Sequence, residues 1–171
     1  MKINAGTKML LFRYKNYKHH EFIKEHMSVL NKNDCVWLLK AGKRTNISKL
    51  RSILKEGGWL LLRAPKAEKG VYYLSRFEEI SEEKPTDDIY PNYYHEILEA
   101  DYDEDVFGYE PVYQWFKLVF LKKLNPKYNN AFLLSNTEKN ITEIIPTTRT
   151  AVMYIKTAKD IIINVDKEEE E

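Results

Sequence analysis

The stretch Trp59-Leu60-Leu61-Leu62-Arg63-Ala64-Pro65-Lys66-Ala67-Glu68-Lys69-Gly70-Val71-Tyr72-Tyr73-Leu74-Ser75-Arg76-Phe77-Glu78-Glu79-Ile80 decides the fold class. Trp59 to Arg63 is an apolar strand, Pro65 to Gly70 a charged turn, and Val71 to Ile80 a second strand rich in aromatic and branched residues. A connection this short joins antiparallel strands, because a parallel pair needs a crossover of a dozen residues or more. Strands and helices alternate elsewhere, an order that also suits a doubly wound parallel sheet. The hairpin favours the antiparallel alternative.

Upstream, Phe22, Ile23, Met27 and Leu30 recur at helical spacing, which predicts an amphipathic helix over 17–32 that Asp34 breaks. Cys35 to Lys40 reads as a buried strand ending at Ala41-Gly42, and Lys43-Arg44-Thr45-Asn46 as a basic loop. Leu50, Ile53 and Leu54 line one face of a helix over 48–56, capped by Asn46 or Ser48 and ended by Gly57-Gly58. Downstream, residues 81–113 turn acidic and Tyr-rich, with one short helix expected to start at Pro91. A connection of that length is functional or disordered, and its aromatic content argues against disorder. Tyr113 to Leu124 is the longest strand, stopped by Asn125-Pro126. Ser135 or Thr137 caps a short helix through Ile144, and 151–156 and 160–165 read as terminal strands. The expectation is one α+β domain over 1–165, a bent β-barrel of five to six mainly antiparallel strands flanked by helices. An acidic tail or linker start follows over 166–171.

With 31% charged residues and 43% hydrophobic ones, the 171-residue chain reads as a soluble globular domain. A formal net charge of +1 argues against coating of nucleic acid by the whole surface, yet the acids are segregated into 78–83, 101–105 and 166–171, which leaves the remainder basic. The single cysteine, Cys35, excludes an internal disulfide and fits a reducing cytoplasm. No apolar run reaches the ~18 residues of a membrane span, so a cytoplasmic protein without membrane contact is expected. His19, His20 and His26 lack the i, i+4 spacing of paired metal ligands, and no phosphate loop, GxSxG elbow or HExxH occurs. Neither enzyme chemistry, nor a metal, nor a cofactor is expected.

What stands out is aromatic residues beside cations at strand ends. Trp37, Trp59 and Trp115 each lie in or at a strand, where a tryptophan serves equally as core or as a stacking surface. Lys40, Lys43, Arg44, Arg63, Arg76, Lys122, Lys123 and Arg149 fall next to such aromatics. That layout suits a reader that stacks a base and grips its phosphates. The residues expected to bind nucleic acid are Lys40, Lys43, Arg44, Asn46, Trp59, Arg63, Tyr90, Tyr93, Tyr94, Trp115 and Arg149. Tyr and Trp also dominate protein hot spots, so a protein-docking role for 90–113 stays open.

The order of Trp37-Leu38-Leu39-Lys40, the helix near Asn46-Ile47-Ser48, the Trp59–Tyr73 hairpin, the strand Trp115–Leu124 and Ile144-Ile145-Pro146-Thr147-Thr148-Arg149 resembles YTH and EVE domains of the PUA-like superfamily. The resemblance covers roughly residues 35–155 and rests on pattern more than identity. It implies a bent barrel whose pocket accepts a flipped or single-stranded, often methylated, base. It places Lys40, Arg44 and Asn46 at the pocket mouth and Arg63 and Arg149 near phosphates. Tyr90, Tyr93 or Tyr94 would stand where the family has a cage tryptophan before the longest strand. The same architecture opens some McrB-type restriction proteins, which implies DNA rather than RNA as ligand and an AAA+ motor domain or subunit as partner.

Overall fold

The computed structural model describes residues 1–41, 45–64, 70–103, 113–145 and 151–164. The predicted binding residues Lys43, Arg44 and Arg149, and the acidic tail, lie outside these described residues. In chain order the elements are β1 (Lys2–Ile3), β2 (Lys8–Arg13), α1 (Phe22–Asn33), β3 (Val36–Ala41), α2 (Ile47–Lys55), β4 (Trp59–Arg63) and β5 (Tyr72–Ser81). Then come α3 (Tyr94–Asp103), β6 (Tyr113–Lys123), a 3₁₀ turn (Pro126–Tyr128), β7 (Phe132–Leu134), α4 (Ile141–Ile144), β8 (Val152–Thr157) and β9 (Ile161–Ile162).

The hairpin forms as read: β4 pairs antiparallel with β5, Trp59 opposite Arg76 and Arg63 opposite Tyr72. Around it grows a seven-stranded sheet in the order β3-β6-β5-β4-β2-β8-β7, while β1 and β9 form a separate two-stranded ribbon. The expected barrel is corrected here: β3 and β7 are the two edges of the large sheet, which does not close on itself. One pair in it, β2 with β4, is parallel, and it is reached by a crossover through α1, β3 and α2. Residues 8–13 carry no strand in the sequence reading, yet β2 lies inside the sheet between β4 and β8. Both its faces are covered, so Met9, Leu10, Leu11 and Phe12 are all buried and the run shows no alternation.

Alternate residues of the central strands feed two cores. Leu10, Phe12, Leu60, Leu62 and Phe116 pack on one face with Phe22 of α1 and Leu50 and Ile53 of α2. Met9, Leu11, Trp59, Leu61 and Leu74 pack on the other with Tyr128, Phe132, Ile141 and Ile161. A third cluster, under α3, joins Trp37 and Leu39 of β3 to Trp115 of β6. In the long β5–β6 pair, Phe77 faces Leu118 while Arg76 faces Phe120, and Glu79 faces Lys117. Val119 and Glu78 are therefore each an extra residue, a bulge on each strand. The first explains how Leu118 packs on one core and Phe120, two residues on, against the other.

Several boundaries have local causes. Asp34 ends α1 in the left-handed region at φ 61°, its N–H donating to Leu30 O at 2.8 Å. Asn46 caps α2 by accepting from Lys49 N. Gly58, at φ 71°, leads into β4 where a Cβ would lie 2.1 Å from Phe77 O, so no side chain fits. The helix expected from Ser135 or Thr137 is shorter than read. It spans Ile141–Ile144 with Asn140 as its cap, because the chain after Leu134 turns back instead, with Glu138 at φ 59° and Leu134 N donating to Lys139 O at 2.8 Å. No helix among the described residues is long and apolar enough to cross a membrane.

Candidate nucleic-acid interface

Of the predicted site residues, the structure brings together Tyr90, Tyr93, Tyr94 and Trp115, with Trp37 and Leu98 beside them. Trp115 is 1% exposed. Its ring lies 5.5 Å from Tyr90 and 6.0 Å from Tyr94. The tyrosine hydroxyls at either side of it have partners. Tyr90 Oη donates to Asp88 Oδ1 at 2.7 Å, and burial together with that carboxylate pushes the phenol above its usual value. Tyr94 Oη accepts from Leu39 N at 3.1 Å and lies 2.5 Å from His26 Nε2.

His26 Nδ1 is 2.6 Å from Phe22 O, a carbonyl that only a donor satisfies. Nδ1 is therefore protonated, and because burial disfavours the charged ring the imidazole is neutral, with Nε2 accepting from the Tyr94 hydroxyl. Burial holds its pKa down to about 4, against the opposing pull of the Phe22 carbonyl. This chain of bonds ties α1, α3 and β3 into one block. Tyr93 stacks on His20 at 4.8 Å and on Tyr17 at 6.0 Å. The described part of the Tyr-rich segment thus directs these three rings inward.

Trp59 belongs to a different cluster, on the far core with Tyr72 and Leu74, its ring 5.8 Å from Phe120 in an edge contact. A planar ligand would reach either Trp59 or Trp115 only after their neighbours moved apart. Lys40 is 6% exposed on β3, and burial lowers its pKa. Its cross-strand partner Gln114 holds residue 45 from both sides, accepting from Thr45 N and donating to Thr45 O, each at 2.8 Å. Asn46 spends its side-chain oxygen on the α2 cap.

Arg63 stands in another setting, at the end of the sheet where β2, β4 and β6 finish. In the parallel β2–β4 pair Arg63 is in register with Arg13, so the two guanidinium groups project from one face. Across the next strands Arg63 faces Tyr72 and Tyr73 faces Lys123, with Lys122 opposite Leu74. Burial, and after it the Arg13 charge, lowers the Arg63 pKa. Burial raises the Tyr72 phenol while Arg63 pulls it back. The Arg63 Nη1 donates to Ile145 O at 3.4 Å. Among the described residues no carboxylate lies within ion-pair distance of Arg13 or Lys123. Tyr14 and Tyr73 meet edge to face at 6.4 Å beside this end, and Tyr73 is half-buried against the core that holds Phe22 and Leu62.

Sequence reasoning missed Arg13, Tyr14 and Tyr73. A signal for the first was present: Leu10-Leu11-Phe12-Arg13 repeats the form of Leu60-Leu61-Leu62-Arg63, and these are the residues that pair in parallel. Among the described residues no cluster of His, Cys, Asp or Glu is arranged to hold a metal ion. Comparison with known proteins returns no matching family model, no matching curated protein and no matching solved structure.

Proposed function

We propose that this chain is a nucleic-acid-binding module that takes a single-stranded or extruded nucleotide at the end of the sheet that carries Arg13 and Arg63 on one face and Tyr73 and Lys123 on the other. The observation that carries the reading is the in-register placement of Arg13 beside Arg63. Arg13 is half-buried, with no carboxylate within ion-pair distance among the described residues, and a bound phosphate gives it a charge-assisted contact. Phosphates then supply affinity. Half-buried Tyr73 would be the aromatic on which a base stacks, the kind of contact that contributes about 1–3 kcal/mol per base. The resemblance to YTH and EVE domains supports the same ligand class and adds the specific proposal that the base is modified. It also adds an McrB-like setting, with DNA as the ligand and a motor domain or subunit as partner.

Fluorescence anisotropy with labelled single-stranded DNA and RNA, titrated across salt, tests the reading. Saturable binding is expected, with a log–log salt slope that falls by about 0.7 in Arg13→Gln and again in Lys123→Gln. Tyr73→Ala is expected to weaken binding without changing the slope, because stacking releases no counterions. Absence of saturable binding at low salt would refute the proposal and favour the protein-docking alternative. An array of methylated and unmethylated oligonucleotides then identifies the base.

A further inference from the structure

One margin of the large sheet is left unfinished. Strand β7 covers the outer side of β8 only along Ile155–Thr157, and one further bond, Ser135 N to Tyr154 O at 3.1 Å, ends the pairing. Because Arg13 N donates to Ala151 O, the odd-numbered residues of β8 turn their backbone groups to β2 and the even-numbered ones turn theirs outward. The N–H and C=O of Val152 and the N–H of Tyr154 therefore face outward, and among the described residues nothing bonds them. At the β3 edge, by contrast, Trp37 N donates to Ile89 O at 2.9 Å and Leu39 N to Tyr94 Oη at 3.1 Å. An edge with open backbone groups is a template for another strand.

Beside this edge lies a trough of about 680 Å³, between α2 and the turn that follows β7. Val152 and Tyr154 pack on the α2 face of β8, whereas Met153 and Leu134 pack on the opposite face. Lys8, Lys49 and Lys156 belong to the lining. Lys49 Nζ stands 4.5 Å from the centre of the Tyr154 ring, and Lys8 is in register with Lys156 on the face that carries Tyr154. Two carboxylates are near: Glu138 lies 2.7 Å from Lys156 Nζ, and Glu56 accepts from Lys8 N at 3.3 Å. Among the described residues none lies within ion-pair distance of the Lys8 or Lys49 ammonium, and Pro146 to Thr150, which lead into β8, include no acid. A strand added along Val152 and Tyr154 continues the pleat, so its side chains fall alternately on the lysine face and beside Met153 and Leu134. We propose that this edge docks an extended segment of a partner protein in which acidic and apolar residues alternate. Main-chain bonds to Val152 and Tyr154 hold the segment, and the two rows of side chains select its sequence. The Lys49 ammonium sits over a ring face that a base would need for stacking, which favours a peptide over a nucleotide here. The inference does not rest on the nucleotide reading, since Arg13 falls on the other face of β2 from Lys8 by the same alternation.

The test is fluorescence anisotropy of the full chain with a labelled, end-blocked peptide of four Glu-Val repeats. Saturable binding is expected. The variant Lys8→Glu/Lys49→Glu should lower affinity about tenfold, the scale of reversing two exposed charges, and a Lys-Val repeat peptide should bind that variant better than the unmodified chain. Both lysines are exposed, and thermal unfolding checks that the variant folds. N-methylation of the glutamates and of the valines, in separate peptides, should weaken binding unequally, because only one set of N–H groups can face β8. Absence of saturable binding overturns the proposal, as does an unaltered affinity in the double variant. Equal effects of the two N-methylated peptides overturn the added strand, because charge alone then accounts for the contact. If a ten-nucleotide oligothymidylate displaces the peptide and needs the same lysines, the trough belongs to nucleic acid. If the chain self-associates through those lysines, the edge belongs to a second copy. Either result overturns the partner peptide.

Discussion

Acid should loosen this protein through one side chain. His26 is buried and neutral, donating from Nδ1 to Phe22 O and accepting at Nε2 from Tyr94 Oη. A second proton on Nε2 would point at a hydroxyl that has only its other lone pair to offer, since Leu39 N already uses one. Folding lowers the imidazole pKa from 6.5 to about 4, chiefly by burial. With the native value depressed, the unfolded chain binds more protons between these limits. Stability from this group is complete above about pH 6.5 and is lost as pH falls towards 4. At 1.36 kcal/mol per pH unit the whole loss is about 3 kcal/mol, of which about 2 has appeared by pH 5. Urea unfolding at pH 8, 5 and 4 measures it, with His26→Gln as control. Gln can donate to Phe22 O and accept from Tyr94, so the variant should fold and lack this share of the pH dependence. An unaltered pH dependence in His26→Gln, or an imidazole that titrates near 6.5 by NMR in the native protein, would refute the argument.

Two local substitutions probe how the sheet and its flanking helix are set. Gly58→Ala forces a Cβ to 2.1 Å from Phe77 O at a residue with φ 71°, and about 3 kcal/mol of destabilisation is expected from strain and displacement of β5. A thermal-unfolding change worth under about 1 kcal/mol would mean that the strand entry relaxes freely. Asn46→Ala removes the side-chain acceptor for Lys49 N and should cost about 1 kcal/mol by urea unfolding, recovered by Asn46→Asp. If Asp fails to restore it, Asn46 does more than cap the helix.

Reading the chain alone worked wherever the determinants were local. The β4–β5 hairpin, the break at Asp34, the Asn46 cap and the long strand stopping before Asn125 are all set by neighbours within a few residues, through turn length, φ preference and side-chain oxygens placed at helix starts. Residues 8–13 escaped because a strand covered on both faces loses its alternation, and an apolar run of that length is equally a piece of helix. Phe132–Leu134 escaped because three residues make a strand only when β8 is alongside.

For the candidate site the division is the same. Cations at strand ends were legible, Arg63, Lys122 and Lys123 among them. The pairing of Arg63 with Arg13 was not, since it depends on a crossover of some fifty residues that sets two distant apolar runs in one register. Nor could sequence decide which aromatics have an open face. Tyr90, Tyr94 and Trp115 close on one another beneath α3, while Tyr73 is only half-buried. The sequence by itself determined the α+β class, most element positions and a supply of aromatic and basic residues, because propensity and periodicity act over a single turn or strand. Only the tertiary structure decided that the sheet stays open, that bulges at Glu78 and Val119 turn its long pair, and which cations share an end, because register and burial depend on contacts between segments far apart in the chain.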